Sequence, residues 1–112
     1  MANLRIARTY EYQPVWEPIQ GDPPVTVVLR HLTEEEREQA VSEEYVSGGV
    51  RTKVNYSQLV RLAVVSIANL SINDEPITTG KQLTDAVGVI PLIQELGIKI
   101  ADSFLRATSA KN

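Results

Sequence analysis

A chain of 112 residues, 43% apolar and 22% charged, has the length of a single domain and the composition of a folded one, which excludes wholesale disorder. Its formal net charge of −3 with scattered lysines and arginines argues against a nucleic-acid surface. The absence of cysteine excludes disulfides, thiol chemistry and cysteine-ligated metals. No apolar run approaches the roughly 20 residues of a membrane span, and residues 1–12 lack the apolar core of a signal peptide, so a cytoplasmic protein is expected.

Residues 1–32 form an extended, proline-rich arm, broken by Pro14, Pro18, Pro23 and Pro24. Leu4, Ile6, Tyr10 and Tyr12 alternate with polar residues and predict a first strand. Residues 25–30 predict a second: Val25, Val27 and Leu29 fall on one face, Thr26, Val28 and Arg30 on the other, and β-branched residues dominate. The two are expected to pair as a ribbon, which needs a helical body or another subunit to lean on. Trp16, Tyr10 and Tyr12 are expected to pack on the core, with an exposed role in anchoring a partner as the second reading.

Residues 33–47 predict an acidic helix. Thr33 caps it, Glu36 completes a capping box, and Glu34, Glu35 and Glu36 complement the positive end of the helix dipole. Six of the fourteen acidic residues lie between Glu34 and Glu44, more than capping requires. The charge reads first as a solvated face and second as a docking surface for a basic partner, carried by Glu34, Glu35 and Glu38. Gly48 and Gly49 are expected to end this helix.

Residues 55–108 read as one helical unit. Asn55, with Gln58 three residues on, has capping-box spacing, and the helix it opens is apolar on nearly all sides through residues 59–70. Such a helix is central or covered by a partner, which makes Leu59, Leu62, Val65 and Ile67 candidate partner-binding residues. The polar segment 71–78, with Asn73, Asp74 and Pro76, predicts a tight exposed connection. Thr79 and Gln82 open a short helix with Leu83, Ala86 and Val87 on one face, ending near Gly88. The last helix starts near Pro91 and buries Leu92, Ile93, Leu96, Ile100 and Phe104. Gly97 interrupts it at a propensity cost of roughly 1 kcal/mol, and close helix packing is the expected reason.

No catalytic pattern accompanies these elements. His31 is the lone histidine, with no second His or Cys to share a metal, and the adjacent carboxylates Asp74 and Glu75 cannot face each other across a substrate. No phosphate loop, nucleophile elbow or HExxH motif is present. A non-enzymatic protein without cofactor or metal is expected.

The succession of Val25-Thr26-Val27-Val28-Leu29-Arg30-His31-Leu32-Thr33-Glu34-Glu35-Glu36, an apolar helix opening Leu59-Val60-Arg61-Leu62, and Asn69-Leu70-Ser71-Ile72-Asn73-Asp74-Glu75-Pro76-Ile77 before two further helices resembles the tail assembly chaperones of long-tailed bacteriophages. The resemblance covers about residues 25–108. It implies a small, mostly helical protein that shields apolar helices of a tape measure protein until the tail tube polymerises, self-associating on the way. Two other classes stay open: an acidic inhibitory binder that mimics nucleic acid, and a structural virion subunit such as a tail-completion or head-joining protein. The expectation is therefore a mainly α single domain of about four helices with a short N-terminal β element, a protein-binding assembly chaperone and homo-oligomer that engages neither nucleic acid nor membrane.

Overall fold

The computed structural model describes residues 2–109 and the side chains of residues 2–103. The elements run β1 (Thr9–Tyr12), a 3-10 turn (Glu17–Ile19), β2 (Thr26–Arg30), α1 (Glu34–Ala40), β3 (Val41–Val46), β4 (Gly49–Val54), α2 (Tyr56–Ala63), β5 (Val64–Ala68), β6 (Ser71–Ile72), β7 (Glu75–Pro76), α3 (Gly80–Asp85) and α4 (Ile90–Ser109). They form three small sheets: β1-β2-β5, the β3-β4 hairpin and the short β6-β7 hairpin.

The fold is α+β, with about 29% strand and 37% helix, so the expectation of a mainly α domain is overturned. Two segments account for the difference. Between residues 33 and 47 the helix stops at Ala40, and the chain turns into a hairpin whose strands carry Val41, Tyr45 and Val46 opposite Val54, Val50 and Gly49. β-branched and aromatic residues favour the pleat. Gly48, at φ 97°, supplies the positive dihedral of a two-residue turn; it joins two strands and does not cap a helix. Between residues 59 and 70 the helix ends at Ala63 and β5 follows without a loop. Val64, Val65 and Ile67 lose side-chain freedom in a helix, and here they gain cross-strand partners. A nearly continuous apolar run carries no period, so helix and strand look alike in it.

The strand expected in residues 4–12 begins only at Thr9, leaving Leu4 and Ile6 exposed. It pairs antiparallel with β2, Tyr10 opposite Leu29 and Tyr12 opposite Val27, and β5 adds a third strand on the other side of β2. Val25, Val27 and Leu29 all face inward, as the alternation predicts, against Leu59, Val60 and Ala63 of α2, Leu83 of α3 and Leu92, Leu96 and Ile100 of α4.

Three helix starts follow local chemistry. Thr33 and Glu36 form a complete capping box, as do Thr79 and Gln82, and Asn55 Oδ1 accepts the Gln58 N–H at 3.1 Å. Asn73 and Asp74, at φ 51° and 67°, form the two-residue turn of the β6-β7 hairpin, a conformation their short polar side chains tolerate. α3 ends at Asp85, so Val87 leaves the helical face expected of it and is 93% exposed. α4 carries Pro91 in its first turn, where the missing N–H costs nothing. Its predicted apolar stripe is buried through Ile100, and the side chain of Phe104 lies outside the described residues.

Candidate partner-binding surface

The seven residues that the sequence nominates for a partner fall in three environments. Leu59 and Ile67 are 0% and 4% exposed and belong to the core, so neither can meet another chain. Leu62 is half-buried. Val65 is 48% exposed because the β2-β5 register shifts between Val28 and Leu29, pairing Val28 with Ser66 and Leu29 with Val64. Val65 is the extra residue of that bulge and turns outward. Glu34, Glu35 and Glu38 are exposed on α1, and Glu34 is ion-paired with Arg37.

A different surface gathers apolar groups outside the core. The β3-β4 hairpin stands away from the body, with every residue from Ser42 to Val46 and from Gly49 to Lys53 exposed. Strand alternation puts Tyr45, Val50 and Thr52 on one face and Ser42, Arg51 and Lys53 on the other. Tyr45 is 83% exposed and sits opposite Val50. Between the base of this hairpin, the start of α2 and the start of α4 lies a cleft of about 920 Å³, with Ser42, Arg51 and Lys53 on the hairpin side, Asn55 and Tyr56 at its floor, and Ile90, Ile93 and Gln94 on the α4 side. The cleft mixes polar and apolar lining, with Val54 and Ile93 among the latter, and the solvent-facing Ile90 adds an exposed apolar group to it.

Charge around α1 is locally satisfied. Arg30 holds Glu36 through two hydrogen bonds, one of them 2.9 Å long from Nη1 to Oε1. This contact and the Thr33 backbone N–H bring the Glu36 carboxyl down to about 2, against the usual carboxylate value of 4.5. The Arg37 guanidinium likewise lowers Glu34. The carboxylates of α1 thus divide between capping and pairing roles at Glu34 and Glu36 and a solvated face at Glu35 and Glu38.

Glu95 organises the N-terminal arm, and nothing local in the sequence marks it. Its Oε2 accepts the Tyr12 hydroxyl at 2.6 Å and the Val15 N–H at 2.7 Å, while Oε1 accepts the Trp16 N–H at 3.0 Å. One carboxylate on α4 therefore ties down the loop after β1 and seats Trp16 half-buried against the core. Burial, then the hydrogen bond to Glu95 and its charge, push the Tyr12 phenol from 10.0 up to about 12. Lys99 Nζ lies 5.5 Å from the centre of the same ring, within cation–π range. His31 is exposed, its ring 5.1 Å from that of Tyr10.

Among the described residues no three of His, Asp and Glu converge as a metal site, and no helix is long and apolar enough to cross a membrane. No family model matches the chain, and no curated protein or solved structure matches it either.

Proposed function

We propose that this chain is a non-catalytic assembly protein of the host-cell cytoplasm, a tail assembly chaperone that shields an apolar helix of a tape measure protein. The observation that carries the reading is the cleft beside the free-standing hairpin, where Ile90, Ile93 and Val54 offer apolar contact between polar side chains. An amphipathic helix laid against such a surface buries its apolar side while its polar flanks stay wet. The core residues Leu59 of α2 and Ile67 of β5 have no part in this. Glu35 and Glu38, with Glu34 paired to Arg37, form an acidic face outside the cleft lining that discourages nonspecific contacts.

Calorimetric titration with an amphipathic helical peptide from a phage tape measure protein tests the reading. Ile90→Asp is expected to weaken binding about tenfold or more, the scale of a central contact, with little dependence on salt. Replacing Glu34, Glu35 and Glu38 together by Gln is expected to leave the affinity in place. The reverse pattern, salt-sensitive binding lost in the triple variant, establishes the acidic inhibitory binder instead. Recovery of the chain from purified particles makes it a structural virion subunit.

A further inference from the structure

The β3-β4 hairpin has two strand edges that nothing among the described residues pairs, and the register identifies the groups they present. Asn55 N–H donates to Ala40 C=O at 2.7 Å just before the ladder begins, and Val46 faces Gly49 across the turn. Antiparallel strands alternate inward and outward hydrogen bonding. Ser42, Glu44 and Val46 therefore bond within the hairpin, while Glu43 and Tyr45 on β3, and Val50 and Thr52 on β4, aim their N–H and C=O groups outward. Among the described residues no third strand meets them.

The edges differ in sign. β3 carries Glu43 and Glu44 and no basic residue; β4 carries Arg51 and Lys53 and no acidic one. We infer that copies of this chain join edge to edge through the hairpin, β3 of one copy against β4 of the next. A two-fold β3-to-β3 pairing sets glutamates against glutamates, and β4-to-β4 sets cations against cations; like charges opposite each other destabilise a ladder. Only the head-to-tail pairing brings Glu44, which lies 3.4 Å from Lys53 of its own hairpin, beside the cations of a neighbouring β4; Glu43 lies on the other face, with Tyr45, Val50 and Thr52. The head-to-tail pairing also satisfies direction, since a β3 running up beside a β4 running down and then another β3 running up is a continuous antiparallel sheet.

Charges on an edge strand ordinarily block indiscriminate pairing. Here each edge bears a single sign, which blocks like with like and leaves the unlike pairing open. A lone two-stranded hairpin is marginally stable in water, and three or more strands remedy that, so the same contact orders the element that makes it. Because the interface is heterologous it repeats, giving a ring if the rotation closes and a filament if it does not. The shared strand twist bends such a sheet towards closure. Tyr45 and Val50 of successive copies then form one apolar belt along a single side. This pairing is independent of what occupies the cleft.

Light scattering coupled to size exclusion on the full chain, purified without any partner, tests the inference. The wild-type chain is expected above monomer mass, with the mass rising with concentration. Glu43→Lys with Glu44→Lys makes both strands basic, and Arg51→Glu with Lys53→Glu makes both acidic. Each variant alone, shown folded by circular dichroism, is expected to be monomeric, and an equimolar mixture is expected to regain the wild-type mass. Thr52→Pro removes an outward N–H without touching a bond inside the hairpin and is expected to yield folded monomer. A monomeric wild-type chain, an oligomer that survives either charge reversal alone, a folded mixture that stays monomeric, or an assembly indifferent to Thr52→Pro overturns it.

Discussion

A methyl group added at Gly97 would lie 2.6 Å from both Cβ and Cδ1 of Tyr56 and 2.8 Å from its Cγ, inside any real carbon contact. Because Tyr56 Cβ is fixed to the backbone of α2, the two helices must separate to admit it. Overpacking of this kind costs about 1–3 kcal/mol, against a helix-propensity gain of roughly 1 kcal/mol. Gly97→Ala is accordingly expected to lower stability by up to about 2 kcal/mol in urea unfolding, while Gly21→Ala, with nothing within 4 Å, stays near neutral; a stabilised Gly97→Ala would remove close packing as the reason for the glycine. The reason was readable beforehand, since a glycine within an apolar stripe has few other uses. The caps at Thr33, Asn55 and Thr79 were readable too, because each acts on a backbone N–H three residues away. Glu95 was not: its partners Tyr12, Val15 and Trp16 lie 79 to 83 residues distant in sequence, and one carboxylate on a helix looks like solvated charge.

At the level of elements, that carboxylate joins α4 to the loop after β1. Glu95→Ala strands two backbone N–H groups and a phenol, and charge-assisted bonds of this kind contribute about 1.5–3 kcal/mol each where they are buried. The Tyr12 titration reports the clamp. Its phenol is raised above the unfolded value of 10.0, so the fold favours the neutral form; the stability it contributes is whole below pH 10 and is lost as pH rises through about 12. In Glu95→Ala the late phenolate absorbance step is expected to move back towards 10 and the alkaline loss of stability to start earlier; an unchanged step would show that Glu95 does not hold the arm. The α2-to-β5 boundary resisted reading for a related reason. Caps and turns signal themselves with polar residues, but between Ala63 and Val64 the chain changes from helix to strand with no polar residue, glycine or proline at the joint.

For the molecule as a whole, the radius of gyration is 15.7 Å, beyond the roughly 13 Å of a compact chain of this length. Core contacts are concentrated where α2 meets α4 and where β2 meets its two neighbours, while the hairpin packs mainly on itself. Backbone amides of β3 and β4 in dilute protein are therefore expected to exchange with deuterium far sooner than those of α2 and β2, through local opening. At high concentration the outward amides of Tyr45 and Thr52 are expected to gain protection as copies associate. Uniform protection in dilute protein would mean that the hairpin is anchored to the body after all. The candidate surface was legible only in part: the exposed acidic face of α1 could be read from its glutamates, but the hairpin was hidden by an acidic stretch that suits a helix start and by glycines that serve equally as helix stop or strand turn.

The loopless joint between α2 and β5 also sets a measure along the chain. Leu59 must reach the helical core contact and Ile67 the inner face of the sheet, and the only slack between them is Val65, the extra residue of the bulge. Adding a residue there would turn β5 over, bringing Ser66 and Ala68 inward and Ile67 into water, because strand faces alternate with a period of two; a deletion is absorbed only by closing the bulge at Val65. The turns at Gly48 and Asn73 lie at the surface and can absorb changes of length. Length variation in proteins of this design should thus gather at those two turns and spare the eight residue steps from Leu59 to Ile67.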